Sequence, residues 1–146
     1  MLVAGRGSSR HTSTLHVVGA AIVEAGKVLV AQRGPAMSLP LKWEFPGGKV
    51  LEGEEPRVAL VREIREELAL EIEVLELLGR GEAHADGGGR HILLDVYAAT
   101  LRGGSPCAVE HAAVGWFTAD ELRTLDWAAA DIPVVPAVER WLRELR

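Results

Sequence analysis

The chain has 146 residues, of which 48% are hydrophobic and 25% charged, and its formal net charge is −5. This composition is too apolar for a disordered chain, and the length suits one domain with a substantial core. The acidic balance argues against a general nucleic-acid-binding protein, and no apolar run approaches the roughly 20 residues of a membrane span. Cys107 is the sole cysteine, which excludes an intramolecular disulfide and a cysteine-based metal cluster.

The N-terminal part of the chain predicts a leader followed by a hairpin. Residues 1–14 are rich in Gly and Ser, show no pattern and lack the apolar stretch of a signal peptide, so a flexible leader and a cytoplasmic location are expected. Residues 15–146 are predicted to form a single domain. Its first strand begins at Leu15, Glu24-Ala25-Gly26 forms a turn, and residues 27–32 form the returning strand.

A loop, a turn and a helix are predicted next. Pro35 and Pro40 interrupt a loop over residues 34–42. Pro46-Gly47 suits the centre of a type II turn, which requires a positive φ at the glycine. A helix is predicted over residues 54–70, because Pro56 suits a first turn and Glu54 and Glu55 complement the positive end of the helix dipole.

The second half of the sequence alternates further strands with two helices. Strands are predicted over residues 72–78, 90–101 and 114–117, with a loop or hairpin tip at 79–89. Thr118 and Glu121 form a capping-box pattern at the start of a short helix, and a last helix follows Asp131. These elements predict an α/β domain with a mixed sheet.

The helix over residues 54–70 has two contrasting sides. At about 100° per residue, its apolar side chains are predicted to face the core: Val58, Val61, Ile64 and Leu68. Glu63, Glu66 and Glu67 lie roughly opposite and next to one another. These glutamates are either a solvated face with Arg62 and Arg65 as partners, or a set of hard oxygen ligands for Mg²⁺ or Mn²⁺.

The sequence around this helix resembles the Nudix box. Gly48, five residues, Glu54, seven residues and then Arg62-Glu-Ile-Arg-Glu-Glu-Leu-Ala-Leu match that pattern at every position except Ala69, where the family has glycine. If a positive φ is required there, alanine costs roughly 1–2 kcal/mol; otherwise the helix runs slightly longer. Four further features of the chain resemble the MutT-like branch of this family. They are residues 43–49, the hairpin ending in Gln32-Arg33, Glu110 six residues before Trp116, and Ala130-Asp131-Ile132-Pro133.

The resemblance implies a Nudix fold, a mixed β-sheet sandwiched between helices. It implies Mg²⁺-dependent hydrolysis of a (deoxy)nucleoside triphosphate to nucleoside monophosphate and pyrophosphate, with Mn²⁺ as a substitute and 8-oxo-dGTP or (d)CTP as the leading substrates. The alternatives are a non-catalytic nucleotide-binding module of the same fold, or hydrolysis of another nucleoside diphosphate derivative such as ADP-ribose. A small nucleotide is the expected partner, with no nucleic acid or membrane, and monomer and homodimer both stay open.

The resemblance also assigns roles around the metal. The metal ligands that it implies are the Gly48 carbonyl and the carboxylates of Glu63, Glu66, Glu67 and Glu110. Arg62 is expected to orient the glutamates through charge-assisted hydrogen bonds. Glu63 and Glu110 remain alternatives for the general base.

Substrate-binding residues follow from the same resemblance. Arg33 and Lys49 are expected to face the phosphates, and Arg90 to line the pocket. Asp131 matches a base-reading position, although it also suits a helix N-cap. An ionised Asp131 would accept hydrogen bonds from the amino-bearing edge of a base, whereas a protonated one could donate to a carbonyl but needs a dry pocket. Trp127 could stack on a base or belong to the core.

Overall fold

The structure is a computed structural model that describes residues 14–37, 39–84, 90–105 and 113–145. Residues 1–13 of the predicted leader lie outside the described residues, and so does the predicted metal ligand Glu110. The strands are β1 (Thr14–Glu24), β2 (Lys27–Gln32), β3 (Trp43–Glu44), β4 (Gly47–Lys49), β5 (Glu71–His84), β6 (His91–Gly103) and β7 (Ala113–Phe117). The helices are α1 (Pro56–Leu68), α2 (Ala119–Leu122) and α3 (Val135–Glu144), with a 3₁₀ turn at Ile132–Val134 before α3.

Within the described residues the strands form one mixed sheet of seven strands. The main order is β3-β2-β1-β6-β5, with β4 added to β1 and β7 added to β2. The long central pair, β1 and β6, is parallel from Thr14↔His91 to Val23↔Thr100, and the other pairs are antiparallel. The predicted mixed sheet is confirmed.

Helices cover both faces of this sheet. On one face, α1 buries Leu60, Ile64 and Leu68 against Val18 and Ile22 of β1. On the other face, a second cluster joins α2 and α3 to the sheet through Leu122, Val138, Leu142, Val30 and Val96. The predicted α/β/α sandwich is confirmed. In the described part of the chain, no helix is long and apolar enough to cross a membrane.

The predicted apolar side of α1 is partly wrong. Val58 is 59% exposed, whereas its neighbours Ala59 and Leu60 are fully buried. The buried stripe therefore follows Leu60, Ile64 and Leu68 at intervals of four residues, and Val61 is half-buried at its edge. The buried side of the helix is therefore turned away from Val58 and toward Ala59 and Leu60.

The two predicted turns have different outcomes. Ala25 and Gly26 have φ values of 52° and 79° and join β1 to β2, as in a two-residue hairpin turn of type I′. The type II turn at Pro46-Gly47 is wrong: Gly47 opens β4 and is not among the described residues with positive φ. A Cβ at Gly47 would lie 1.9 Å from the carbonyl oxygen of Val18, so this position needs glycine for space.

The predicted loop at 79–89 is wrong up to His84, because β5 continues to that residue. Its pairing with β6 shifts register between Val74 and Leu77 and again between Leu77 and Gly79, as β-bulges do. Gly81 lies in the continued strand, where an added Cβ would come 1.8 Å from the carbonyl oxygen of Ala130. This glycine permits the close approach of β5 to the segment that carries Asp131.

Helix α1 is shorter than predicted at both ends. The Glu55 carboxylate caps its start by accepting from the N–H groups of Arg57 (3.0 Å) and Val58 (3.2 Å). Ala69 ends the helix in the left-handed conformation, at φ 58° and ψ 36°, and its N–H donates to the carbonyl of Arg65. The sequence left open whether Ala69 has a positive φ or extends the helix. The structure shows the positive φ, which costs roughly 1–2 kcal/mol for a residue with a Cβ.

The predicted capping box at the start of α2 is confirmed. The N–H of Thr118 donates to the Glu121 carboxylate at 2.8 Å, and the N–H of Glu121 donates to the Thr118 hydroxyl at 3.3 Å. Both residues therefore satisfy N–H groups that the first turn of a helix leaves without partners.

Candidate active site

Strand β4 and helix α1 meet at Gly48 and Glu63. A Cβ at Gly48 would lie 2.2 Å from Glu63 Oε1 and 2.3 Å from its carboxyl carbon. Only glycine therefore leaves room for the carboxylate to pack on the backbone of β4. This contact brings the backbone of Gly48 and the carboxylate of Glu63 together, as the Nudix resemblance requires of two metal ligands.

Arg62 connects the glutamates to one another and to β4. Its Nε and Nη2 donate to the two oxygens of Glu54 at 2.8 and 2.9 Å, and Nη1 donates to Glu63 Oε2 at 2.9 Å and to Glu66 Oε1 at 3.3 Å. Nη2 also donates to the Lys49 carbonyl at 3.1 Å. These contacts raise the pKa of Arg62, first through Glu54 and then through Glu63, and the Arg62 hydrogen bond lowers the pKa of Glu54.

The three glutamates of α1 differ in exposure. Glu66 is mostly exposed, with 61% of its side chain accessible, whereas Glu63 is largely covered beside Gly48. Glu67 lines a pocket, and its Oε1 is buried. The three glutamates therefore range from the exposed Glu66 to Glu67, which lines the pocket.

The donor chemistry of this face fits a hard divalent cation, because carboxylates and a backbone carbonyl are the oxygen ligands that Mg²⁺ prefers. Among the described residues, however, no three Asp, Glu, His or Cys side chains are grouped as a ligand set. Arg62 holds carboxylate oxygens of both Glu63 and Glu66 in ion pairs. The predicted ligand Glu110 lies outside the described residues.

A pocket of about 390 Å³ is lined both by residues of this glutamate face and by residues of the segments that carry Phe45 and Asp131. Its ionisable lining is Arg33, Glu44, Lys49, Glu67, His84 and Asp131. Its apolar lining includes Leu15, Val17, Met37, Leu39, Phe45, Ile92 and Leu94, with alanines at 83 and 128–130. The structure therefore brings together three of the predicted substrate-binding residues, Arg33, Lys49 and Asp131, with the predicted metal ligands Gly48 and Glu67.

Arg90 is not part of this arrangement. It is exposed just before β6 and is absent from the described lining of the pocket, so the structure does not support its predicted place there. His84, which pairs with His91 across β5 and β6, lines the pocket instead. The sequence did not predict this position for His84, because the predicted strand ended at residue 78 and left His84 outside it.

Glu44 is a functional candidate that the sequence analysis missed. Arg33 Nη1 donates to Glu44 Oε1 at 2.7 Å, and both side chains are partly buried in the pocket wall. The register Gln32↔Trp43 and Ala31↔Glu44 places Glu44 beside the end of β2, where Arg33 follows. This register depends on strand pairing, so the residues next to Glu44 in the sequence gave no signal of it.

Asp131 is 5% exposed, and its carboxyl Oδ2 accepts a hydrogen bond of 2.9 Å from the N–H of Phe45. Burial raises the pKa of Asp131 to about 8, with Glu44 adding to the rise and the Phe45 N–H and Arg33 opposing it. At neutral pH the group is therefore mostly a carboxylic acid, which can donate as well as accept. Asp131 occupies the N-cap position of the following 3₁₀ turn, but its side chain makes no capping hydrogen bond there.

Trp127 belongs to the core. It is 7% exposed, its ring lies 4.7 Å from that of Phe45 between centroids, and its Nε1 donates to the Leu122 carbonyl at 2.7 Å. It is not among the described pocket-lining residues. Of the two alternatives for Trp127, a place in the core is therefore confirmed, and stacking on a base is not supported.

Comparison with known proteins gives consistent similarities. A family model described as the NUDIX domain matches residues 14–138. A "Putative 8-oxo-dGTP diphosphatase 2" of Mycobacterium tuberculosis is 44% identical over 130 residues, covering 88% of this chain and 86% of that protein. A "CTP pyrophosphohydrolase" of Escherichia coli is 39% identical over 123 residues, covering 84% and 90%. The solution structure of the E. coli ORF135 protein superposes with a TM-score of 0.75 at 37% identity, covering 96% of each chain.

Proposed function

Because the chain belongs to the NUDIX domain family, we propose that it is a MutT-like hydrolase that converts a (deoxy)nucleoside triphosphate to nucleoside monophosphate and pyrophosphate. One observation carries this proposal: a single pocket is lined by Glu67 and Gly48 and also by the buried acid Asp131 and several apolar residues. We assign the part lined by Glu67 and Gly48, the phosphate end, to a polyphosphate, and the part lined by Asp131, the base end, to a nucleobase. Relatives named as an 8-oxo-dGTP diphosphatase and a CTP pyrophosphohydrolase support the same class of substrate.

The phosphate end is assigned to Arg33 and Lys49 together with the α1 glutamates. Glu63, Glu66, Glu67, the Gly48 carbonyl and Glu110 would hold Mg²⁺ or Mn²⁺, which supplies positive charge against the phosphates and acidifies bound water. Arg33 offers a planar, charged donor to phosphate oxygens, and Glu44 fixes its orientation.

Two carboxylates are candidates to remove the proton from the attacking water. Glu63 is held by Arg62 and packs on Gly48, so its position is well defined. Glu110 is the alternative base. In either case Arg62 acts as a positioning residue, because its guanidinium fixes the carboxylates without belonging to the pocket lining.

The base end is assigned to Asp131. A protonated Asp131 can donate to a base acceptor, such as a carbonyl oxygen or ring nitrogen, while its oxygens can accept from an amino or ring N–H group. Both cytosine and an oxidised guanine present such neighbouring donors and acceptors. We therefore retain 8-oxo-dGTP and (d)CTP as the two leading substrates, in the free nucleotide pool of the cytoplasm.

A nucleotide panel with Mg²⁺ tests this proposal. It should contain 8-oxo-dGTP, dGTP, CTP, dCTP, 5-methyl-dCTP, ADP-ribose and a dinucleoside polyphosphate, and it should score pyrophosphate against orthophosphate release. Pyrophosphate release from one triphosphate supports the proposal and identifies the base. Turnover of ADP-ribose or the dinucleotide alone favours another branch of the family, and nucleotide binding with no turnover favours the binding module.

A further inference from the structure

The loop between β2 and β3 contains two leucines in left-handed backbone conformations. Leu39 has a φ of 49° and Leu41 a φ of 65°. For residues with a branched side chain this conformation costs roughly 1–2 kcal/mol each. Strain of this kind persists where the surrounding structure enforces it, and it is concentrated at ligand sites.

Hydrogen bonds at the base of the loop enforce these conformations. The N–H of Leu41 donates to the Arg33 carbonyl at 2.9 Å, and the N–H of Arg33 donates to the Lys42 carbonyl at 2.8 Å. The N–H of Lys42 donates to the Leu39 carbonyl at 3.3 Å, and the Gln32 side chain donates to the Leu41 carbonyl at 3.1 Å. The loop is thus anchored to Arg33, which the proposed function places on the phosphates.

The two leucines differ in where their side chains lie. Both are substantially exposed, Leu39 to 42% and Leu41 to 50%. Leu39 lines the pocket together with Met37, whose sulfur accepts a hydrogen bond from the N–H of Gly34 at 3.0 Å, whereas Leu41 is not among the described lining residues. Leu39 is therefore an apolar side chain held at a ligand pocket while much of its surface still faces water.

We propose that Leu39, supported by Met37, packs on the nucleobase of the substrate and sets the affinity for the base rather than for the phosphates. This inference rests on the proposed function. The phosphates require the charged groups of Arg33, Lys49 and the α1 glutamates. The side chain of Leu39 has neither a charge nor a hydrogen-bonding group with which to bind a phosphate. A nucleobase has two apolar faces, and covering one with Leu39 removes apolar surface of both groups from water.

Calorimetric binding of CMP and 8-oxo-dGMP, compared with pyrophosphate, tests the assignment to the base. Leu39→Ala is expected to weaken binding of the preferred monophosphate about tenfold, as truncation of an apolar contact residue does, and to leave pyrophosphate binding unchanged. Leu39→Met restores a long apolar side chain and is expected to retain most of the affinity. Leu41→Ala is the matched control, from the same loop and the same backbone region, and is expected to change neither dissociation constant.

Three results would overturn the assignment: unchanged monophosphate binding in Leu39→Ala, an equal loss in Leu41→Ala, or an equal loss of pyrophosphate binding. Because the readout is equilibrium binding, it is separate from turnover. If the wild-type protein binds the monophosphate but hydrolyses no triphosphate, the proposed function is contradicted. The binding constants of the Leu39 variants then still decide whether Leu39 contacts the base. A wild-type protein that binds neither monophosphate contradicts both.

Discussion

The buried carboxyl group of Asp131 accepts a hydrogen bond from the backbone N–H of Phe45, although the two residues are 86 positions apart in the chain. Phe45 directly follows Glu44, which is paired with Arg33. One short segment therefore carries both the contact that fixes the acid at the base end and the residue that orients the arginine at the phosphate end. Two consecutive residues, Glu44 and Phe45, thus position the arginine and the buried acid relative to each other.

Replacing Asp131 with asparagine should change how stability depends on pH. The folded-state pKa of Asp131 is about 8, above the unfolded value near 3.8, so folding favours the protonated form. The stabilisation that this proton provides is complete below about pH 4 and is lost as pH rises through 8. The side-chain amide of the variant does not titrate in this range. Urea unfolding of both proteins should therefore show that the wild type loses stability relative to Asp131→Asn between about pH 4 and 8 and levels off above. A stability difference that stays constant with pH would contradict the assigned pKa.

Replacing Ala69 with glycine should stabilise the protein. Relief of the left-handed strain gains roughly 1–2 kcal/mol, and the extra freedom of glycine in the unfolded chain offsets about 0.5–1 kcal/mol of it. A net gain of about 0.5–1 kcal/mol in the free energy of unfolding is expected by urea titration. Ala137→Gly in α3 is the control, and should instead lose about 1 kcal/mol because that position is helical. A loss of stability in Ala69→Gly would show that the helix end tolerates alanine without strain.

Replacing Gly48 with alanine should reduce catalysis while leaving the fold intact. The new methyl group would meet the Glu63 carboxylate at 2.2 Å, so the flexible end of Glu63 must move. We expect a fall in kcat of about 10–100-fold, the range seen when the support of metal ligands is disturbed. Gly103→Ala is a matched control, because a Cβ at Gly103 meets nothing within 4 Å. Equal activity of Gly48→Ala and Gly103→Ala would remove Glu63 from the proposed machinery.

Replacing Arg33 with lysine should raise the KM for the triphosphate. Lysine keeps the positive charge but lacks the planar guanidinium. In the wild type this group donates to Glu44 and has further N–H groups that can face a phosphate. A rise in KM of about tenfold, equivalent to about 1.4 kcal/mol, is expected from steady-state kinetics with the preferred triphosphate. Lys42→Arg is the control, because Lys42 pairs with the exposed Asp126 and is not among the described pocket-lining residues. An unchanged KM in Arg33→Lys would place Arg33 away from the phosphates.

The local parts of this fold could be predicted from sequence, because neighbouring residues encode them. The Ala25-Gly26 turn, the Thr118-Glu121 capping box and the amphipathic helix α1 each depend on residues only a few positions apart. The resemblance to the Nudix box, with the mixed sheet it implied, is confirmed by the family match and the architecture.

The errors arose where distant contacts decide the structure. Gly47 was assigned to a turn and Gly81 to a loop or hairpin tip, but each is a point where two backbones approach too closely for a Cβ. Asp131 suggested a helix cap, but its hydrogen bond crosses to Phe45. Glu44 had no local signal of function, since its importance comes from the strand register that places it beside Arg33.

The central claim is that the glutamate face of α1 catalyses hydrolysis in the pocket where the nucleotide binds. The most direct test compares wild type and Glu67→Gln for pyrophosphate release from the preferred triphosphate with Mg²⁺, alongside calorimetric binding of the monophosphate product. We predict pyrophosphate release by the wild type, a fall of at least about 100-fold in Glu67→Gln, and unchanged monophosphate binding. Equal turnover in both proteins, or nucleotide binding without turnover in the wild type, would contradict this account.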